Sequence, residues 1–105
     1  MNINDYTEAT IDLLSLASEI EERKRPSYTN GNADVLHNFK RDAEMAGVTM
    51  YQNWLQHFLK QVAAISRWAR CPDDEQSEPI EQRFADVVNY CKLGHALERE
   101  RSQFD

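Results

Sequence analysis

The segment from Ser77 to Leu97 carries the clearest helical pattern in this sequence. Six of its residues return every three or four positions, which is the spacing of side chains on one face of an α-helix. They are Ile80, Phe84, Val87, Val88, Cys91 and His95. Ser77 suits the N-cap position, and Pro79 is tolerated in a first helical turn. The pattern predicts a helix over about residues 78–98, with this set on its inner face.

Three earlier segments show the same period and predict helices over about residues 5–24, 33–46 and 50–69. Pro26 is expected to end the first helix, and Thr49 to cap the third. Only 3 Gly and 3 Pro occur in 105 residues, a composition that favours helices over strands. The sequence therefore predicts an all-α, four-helix bundle-like single domain, which we expect to be oligomeric.

The first and third predicted helices carry long apolar stripes that we expect to form the core. In the first helix they are Tyr6, Ala9, Leu13, Leu16, Ala17 and Ile20. In the third they are Tyr51, Trp54, Leu55, Phe58, Val62, Ile65 and Ala69. Gly94, inside the fourth helix, is expected to allow the close approach of a neighbouring helix.

The fourth predicted helix has a second, narrower apolar stripe formed by Tyr90, Leu93 and Leu97. Asp86 lies on this stripe one turn before Tyr90, and Asn89 lies beside it. A carboxylate among apolar side chains needs a structural or functional reason, because burying it unpaired is costly. The stripe predicts a contact with another helix or with a second subunit.

The formal net charge of −6 argues against binding of nucleic acid by the chain as a whole. It fits a protein that meets a basic partner, or one that holds metal cations between carboxylates. The acidic and amide residues that can form such a site are Glu19, Glu22, Glu78, Glu81, Asp86 and Asn89. Carboxylates from two helices can hold Mg²⁺, although a solvated acidic face is the ordinary alternative.

The order of short motifs adds a family resemblance. The motifs are Arg25-Pro-Ser-Tyr28, Leu36-x-x-Phe39, Leu59-Lys60-x-x-Ala63-Ala64-Ile65, Ser77-Glu-Pro-Ile-Glu81 and Asp86-Val-Val-Asn89-Tyr90. This order resembles small phage and prophage proteins related to the all-α, MazG-like nucleoside triphosphate pyrophosphohydrolases, including the nucleotide-modification-associated domains.

The resemblance implies an enzyme that splits a nucleoside triphosphate into the monophosphate and pyrophosphate with Mg²⁺. It implies that Asp86 and Glu22 are catalytic. The metal ligands would be Glu19, Glu22, Glu81 and Asp86. The substrate-binding residues would be Lys60, Asn89, Tyr28 and Asn38. Glu81 and Asp86 are five residues apart, whereas the family typically spaces such a pair by three.

The resemblance also implies a homodimer, with Tyr90, Leu93 and Leu97 as its expected interface. The first ten residues show neither the basic nor the apolar region typical of a signal peptide, and no segment has the ~20 apolar residues that a membrane span needs, so neither feature is expected. Cys71 and Cys91 lie outside any zinc-binding spacing and are expected to be reduced thiols. These features predict a cytoplasmic protein, located in the host cell if the chain is phage-encoded.

A second hypothesis from a different class is a small acidic, phage-encoded interaction protein. Such a protein would inhibit a host nucleic-acid enzyme or defence complex, because its negative surface mimics phosphates in a basic groove. The acids expected to matter are the pair Glu19 and Glu22 and the loop acids Asp73, Asp74 and Glu75. The sequence leaves both hypotheses open.

Overall fold

The structure is a computed structural model that describes residues 1–104, without the side chains of Tyr28 and Phe104. It confirms the all-α, four-helix bundle-like prediction, and the described residues contain no strand. The helices are α1 (Ile3–Thr29), α2 (His37–Ala46), α3 (Met50–Arg70) and α4 (Ile80–Phe104). No helix within residues 1–104 has the length and apolar character needed to cross a membrane.

The helix α4 packs between α1 and α3, and α2 packs against α1 and α3. α1 and α4 run parallel, because the Asn89 amide reaches Ala17 and the Lys92 ammonium reaches Glu21. α2 has 10 residues where the other helices have 21 to 27. Since a helix rises about 1.5 Å per residue, α2 covers only part of their length.

The buried core has two parts. One joins the segment around α2 to α3 and α4, where the buried residues are Leu36, Phe39, Leu93 and Leu97. The other joins α1 to α4, where the buried residues are Ala17, Ile20 and Ala85. Apolar burial in these two clusters is the main force that holds the helices together.

The first helix is longer than predicted, because Pro26 does not end it. α1 continues to Thr29, and Asn30 closes it in the left-handed conformation (φ 49°) with its N–H donating to the Pro26 carbonyl oxygen at 2.9 Å. A proline one turn from the end of a helix removes only one N–H donor. Gly31, the next residue, is also left-handed (φ 79°).

The predicted start of the second helix was also wrong, since α2 begins at His37 rather than near residue 33. The Asn32 side chain accepts from the Asp34 N–H at 2.8 Å, and the Asp34 side chain accepts from the Leu36 N–H at 2.9 Å. These side chains therefore form local turns of their own instead of starting the helix.

The fourth helix was predicted to end near residue 98, but α4 continues to Phe104. Near its charged end, Glu100 is tied to α2 by an ion pair. Lys40 on α2 lies 2.9 Å from Glu100 and 2.6 Å from Asp34. The hydrogen bond from Lys40 lowers the pKa of the Asp34 carboxyl group. The third helix, with its Thr49 cap and a capping box to Gln52, follows the prediction within one residue.

The predicted orientation of α4 was wrong. Cys91 and His95, expected on the inner face, are exposed. The buried face is the opposite one, which includes Leu93 and Leu97 at 8% and 1% exposure. Both leucines are core residues of a single chain, so they are not available as the predicted dimer interface. α4 is apolar on two opposite faces, and periodicity alone does not say which face the chain covers.

Several residues of the predicted core stripes on α1 and α3 are likewise outside the core. Tyr6 and Ala9 on α1 are exposed, and so are Tyr51, Leu55 and Val62 on α3. The side chains that α3 buries are those of Gln61 and Ala64. The consequence is a large amount of apolar helix surface that this chain does not cover itself.

Candidate functional site

Asp86 and Asn89 form a polar pair inside the bundle, on the buried face of α4. Their exposed fractions are 7% and 4%. Because the two residues are three positions apart, their side chains share one face of the helix. Burial of a carboxylate costs several kcal/mol unless it is paired and hydrogen-bonded. The chemistry open to the pair therefore depends on the charges and hydrogen-bonding groups around it.

The pair is only partly satisfied by protein atoms. The Asn89 amide donates to the Ala17 carbonyl oxygen at 2.9 Å. Its own Oδ1 is buried and has no hydrogen-bond partner among the described residues. The Asp86 Oδ1 lies 3.6 Å from Lys24 Nζ, which is an ion pair but too long for a good hydrogen bond. Asn89 thus keeps a buried oxygen acceptor without a donor, and the buried Asp86 carboxylate on the same helix face is paired with a lysine at long range.

Tyr90 follows Asp86 by one helical turn, so the charge of Asp86 acts on the pKa of the Tyr90 hydroxyl. Burial raises the pKa of the Tyr90 hydroxyl, and the negative charge of Asp86 raises it further. The Tyr90 ring is stacked against His57 with ring centroids 6.0 Å apart. The phenol is therefore held in its neutral form beside the carboxylate.

We expect the Tyr90 hydroxyl to make the folded state less stable at high pH. A group whose folded pKa is raised contributes stability that is complete below its unfolded pKa of 10.0 and is lost as pH rises through the folded pKa. Urea unfolding of the wild type and of Tyr90→Phe at pH 8 and pH 11 measures this loss. The wild type should lose more stability than the variant between the two pH values, and equal losses would contradict the assignment.

A polar pocket of about 210 Å³ adjoins the pair. Its lining residues are Ser27, Asn38, Phe39, Asp42, His57 and Tyr90. Ser27 and Tyr90 each come about one helical turn after Lys24 and Asp86, so the pocket and the buried carboxylate are neighbours. The Asn38 amide donates to the Ser27 carbonyl oxygen, while Asn38 Oδ1 is buried with no hydrogen-bond partner in the described part of the chain.

The structure brings some of the sequence-predicted site residues together and not others. Asp86 and Asn89 are adjacent, and Asn38 lies in the neighbouring pocket. The side chain of Tyr28 is outside what the structure describes. Lys60 is exposed on α3, at the surface of the bundle.

The predicted carboxylates do not meet in one chain. Glu19, Glu22 and Glu81 are exposed, and Glu81 borders a separate groove with Asp12. Among residues 1–104, no group of three or more His, Cys, Asp or Glu side chains is placed to hold a metal ion. Residues of a single chain therefore do not assemble the predicted four-carboxylate magnesium site.

Sequence reasoning missed Lys24, His57 and Ser27. A signal for Lys24 was present, because it follows Ala17 by seven positions and so continues the buried stripe of α1. His57 and Ser27 carry no comparable signal, since their place at the pocket depends on how α2 and α3 pack.

Comparison with models of protein families, with curated proteins and with solved structures found no match. The MazG-like resemblance therefore stays a prediction.

Proposed function

We propose that the polar site around Asp86 binds a nucleoside triphosphate together with Mg²⁺, as the MazG-like resemblance implies. The observation that supports this most is the burial of Asp86 beside the Asn89 oxygen, which has no donor among the described residues. A fold selected only for stability would replace such a pair with apolar side chains, which are often as stable or more so. A ligand that binds the free oxygen acceptors would explain why this buried polar pair is present.

The donor set is suited to a hard cation. Mg²⁺ prefers oxygen ligands and is commonly held by one or two carboxylates, waters and the phosphates of the substrate. Asp86 and Asn89 would hold the ion, which when bound neutralises charge on the phosphates. In this proposal Mg²⁺ has two protein ligands, Asp86 and Asn89, instead of the four carboxylates predicted from the sequence.

Lys24 is the residue best placed to contact the phosphates. Its side chain is 50% exposed, and its ammonium lies beside Asp86 without a short hydrogen bond. The ammonium is therefore free to turn from the carboxylate to a phosphate oxygen. Hydrolysis would also need a second acid to orient the attacking water; Glu22, which the resemblance names for this role, is exposed on α1, so binding is the part of the function that the geometry of one chain supports.

Thermal unfolding with a full panel of ribo- and deoxyribonucleoside triphosphates tests this proposal. With Mg²⁺ and ligand at about 100 times Kd, we expect one or more of them to raise Tm by on the order of 10 °C. Release of pyrophosphate in the same samples shows whether binding leads to turnover. If no nucleotide raises Tm and none is hydrolysed, the proposal is wrong.

The Asp86→Asn variant should lose the magnesium-dependent rise in Tm. The substitution keeps the size of the side chain but removes the negative charge that attracts the cation. Asp73→Asn removes one charge from the exposed loop between α3 and α4 and is the matched control. A rise that survives in Asp86→Asn, or that disappears equally in Asp73→Asn, would place the site elsewhere.

A second candidate, the acidic interaction protein, is favoured by a different observation. Many surface acids have no cationic partner within residues 1–104. They are Asp5, Glu8, Asp12, Glu19, Glu22, Glu44, Asp73, Asp74, Glu75 and Glu81. A surface with this much uncompensated charge attracts a basic partner and speeds its association.

Pull-down experiments at low and high salt test the second candidate. Glu19→Lys with Glu22→Lys, or a triple charge reversal of Asp73, Asp74 and Glu75, should abolish capture of a basic partner. Met45→Lys, at an exposed position on α2, adds a positive charge without removing an acid and is the control. Failure to recover any partner at low salt would count against this candidate.

A further inference from the structure

The polar pocket beside Asp86 takes side chains from all four helices. We name it the Asp42 pocket, and its lining residues are Ser27, Asn38, Phe39, Asp42, His57 and Tyr90. Its volume is about 210 Å³, which is below the about 300 Å³ at which pockets for whole drug-sized ligands begin. The Asp42 pocket therefore has room for one small ring system and not for a complete nucleotide.

Three of the six lining side chains are aromatic. The rings of His57 and Tyr90 are nearly parallel, with an interplanar angle of 14° and centroids 6.0 Å apart. Phe39 stands edge-on to His57, at 83° and 5.5 Å. A flat ring that enters the pocket can lie parallel to both His57 and Tyr90. Stacking of this kind holds nucleic-acid bases on proteins, because every base has a π-face.

The polar side chains of the Asp42 pocket offer hydrogen-bond acceptors. Asn38 and Asp42 are four residues apart on α2 and so share one face of it. Asn38 Oδ1 is buried without a hydrogen-bond partner among the described residues. Asp42 Oδ1 accepts from its neighbour Arg41 at 3.1 Å, and this ion pair leaves Oδ2 to a ligand. Ser27 donates its hydroxyl hydrogen to the Lys24 carbonyl oxygen at 2.6 Å, so its own oxygen is left to accept.

The charge of the Asp42 pocket makes it a poor site for phosphates. Its lining residues include neither Lys nor Arg, and the carboxylate of Asp42 repels an anion. Lys24 and Asp86 lie about one helical turn before Ser27 and Tyr90, a rise of about 5.4 Å. Phosphates held at Lys24 and Asp86 therefore leave the base to the pocket, with the ribose between them.

We propose that the Asp42 pocket binds the base of the nucleotide and prefers a base with an exocyclic amino group, which is cytosine, adenine or guanine, over uracil or thymine. The position of the phosphates comes from the proposed function, on which this proposal rests in that respect. It adds a class of base and two residues, Asp42 and His57, that the family resemblance does not name.

The preference follows from the acceptors on α2. Asp and Glu side chains accept from the N4 amino group of cytosine when proteins recognise base edges. Uracil and thymine carry a carbonyl oxygen at that position, and their one N–H on this edge lies between two carbonyl oxygens. Either base would therefore bring an acceptor against the carboxylate of Asp42, which cannot donate when it is ionised.

Titration with cytidine and uridine monophosphates in EDTA tests the pocket without the metal site. The two bases differ in the amino group of cytosine, which is a carbonyl oxygen in uracil. We expect the cytidine nucleotide to bind about tenfold more tightly, because a hydrogen bond to a charged group is a strong one. In NMR spectra the ring signals of His57 should shift, whereas those of His95, which borders a different groove, should not.

Two variants separate recognition of the base edge from stacking. Asp42→Asn should remove the preference, because an amide can donate to the uracil oxygen as well as accept from the cytosine amino group. Glu44→Gln removes one charge from another exposed position of α2 and should leave the preference unchanged. His57→Ala should weaken both nucleotides by about tenfold and keep their ratio, because stacking does not depend on the base edge. Circular dichroism checks that the variants fold.

Equal binding of the two nucleotides by the wild type, or binding of neither, would overturn this proposal, and so would a preference that persists in Asp42→Asn. The triphosphate panel with Mg²⁺ decides the proposed function separately. A rise in Tm that Asp86→Asn removes would keep that function with the base outside the pocket. A base preference in EDTA without any effect of triphosphates would keep the Asp42 pocket and overturn the metal site.

Discussion

Replacement of Leu97 by alanine is expected to lower the free energy of unfolding by about 3 kcal/mol. Leu97 is 1% exposed and packs with Leu36, Phe39 and Leu93 where α2, α3 and α4 meet. The substitution removes buried methyl groups and leaves a cavity, and both effects destabilise a tightly packed core. The midpoint and slope of urea denaturation measure the loss.

Met45→Ala is the control for this prediction, because Met45 is 80% exposed on α2. A surface truncation of this kind changes stability by less than about 0.5 kcal/mol. If Leu97→Ala cost no more than Met45→Ala but dissociated an oligomer, Leu97 would lie at a subunit interface, as the sequence suggested. A loss of unfolding free energy that is independent of protein concentration places it in the core of one chain.

The helices of this protein could be predicted from sequence because each one is long and periodic. The ends were less predictable, since they depend on single contacts. Pro26 is typical of a helix end, yet α1 continues for one more turn and ends at Thr29, with Asn30 as its C-cap. The fourth helix was predicted to end near residue 98, yet α4 continues to Phe104, and Glu100 in this extension pairs with Lys40 of α2.

The faces of the helices were harder to predict than their positions. α4 has apolar residues on two sides, so its sequence is consistent with either side in the core. A short segment around the start of α2 determines which side of α4 is buried. Its residues Leu36 and Phe39 pack on Leu93 and Leu97, so this side of α4 lies in the core. No local pattern in α4 contains that information, because it comes from a segment more than 50 residues away in the chain.

The same limit applies to the candidate site. Asp86 and Asn89 could be identified because they are polar residues within an apolar stripe, and both are buried. Glu19 and Glu22 share a helix face in the sequence, but that face points to solvent. Spacing along one helix predicts which side chains are neighbours on it, whereas the rotation of the helix decides what they meet.

Gly94→Ala is expected to destabilise the protein by about 2 kcal/mol, although alanine is normally the better helix residue by about 1 kcal/mol. A Cβ at this position would lie 2.7 Å from Cζ2 of Trp54 and 2.8 Å from Cε2. The indole cannot move aside easily, because its Nε1 donates to the Tyr90 carbonyl oxygen at 2.8 Å and its ring stacks on Phe58. The indole of Trp54 thus fills the space that the glycine leaves.

A double-mutant cycle with Trp54→Phe separates the steric cost from helix propensity. Phenylalanine lacks the benzo ring of the indole and with it Cζ2, the atom that an alanine Cβ would meet most closely, so Gly94→Ala should cost clearly less in the Trp54→Phe background. Urea denaturation of the four proteins gives the coupling free energy between the two positions. If Gly94→Ala cost the same in both backgrounds, the glycine would be required for a backbone reason, and its contact with the indole would contribute nothing. A coupling near 2 kcal/mol means that one missing methyl group sets how closely α3 and α4 pack.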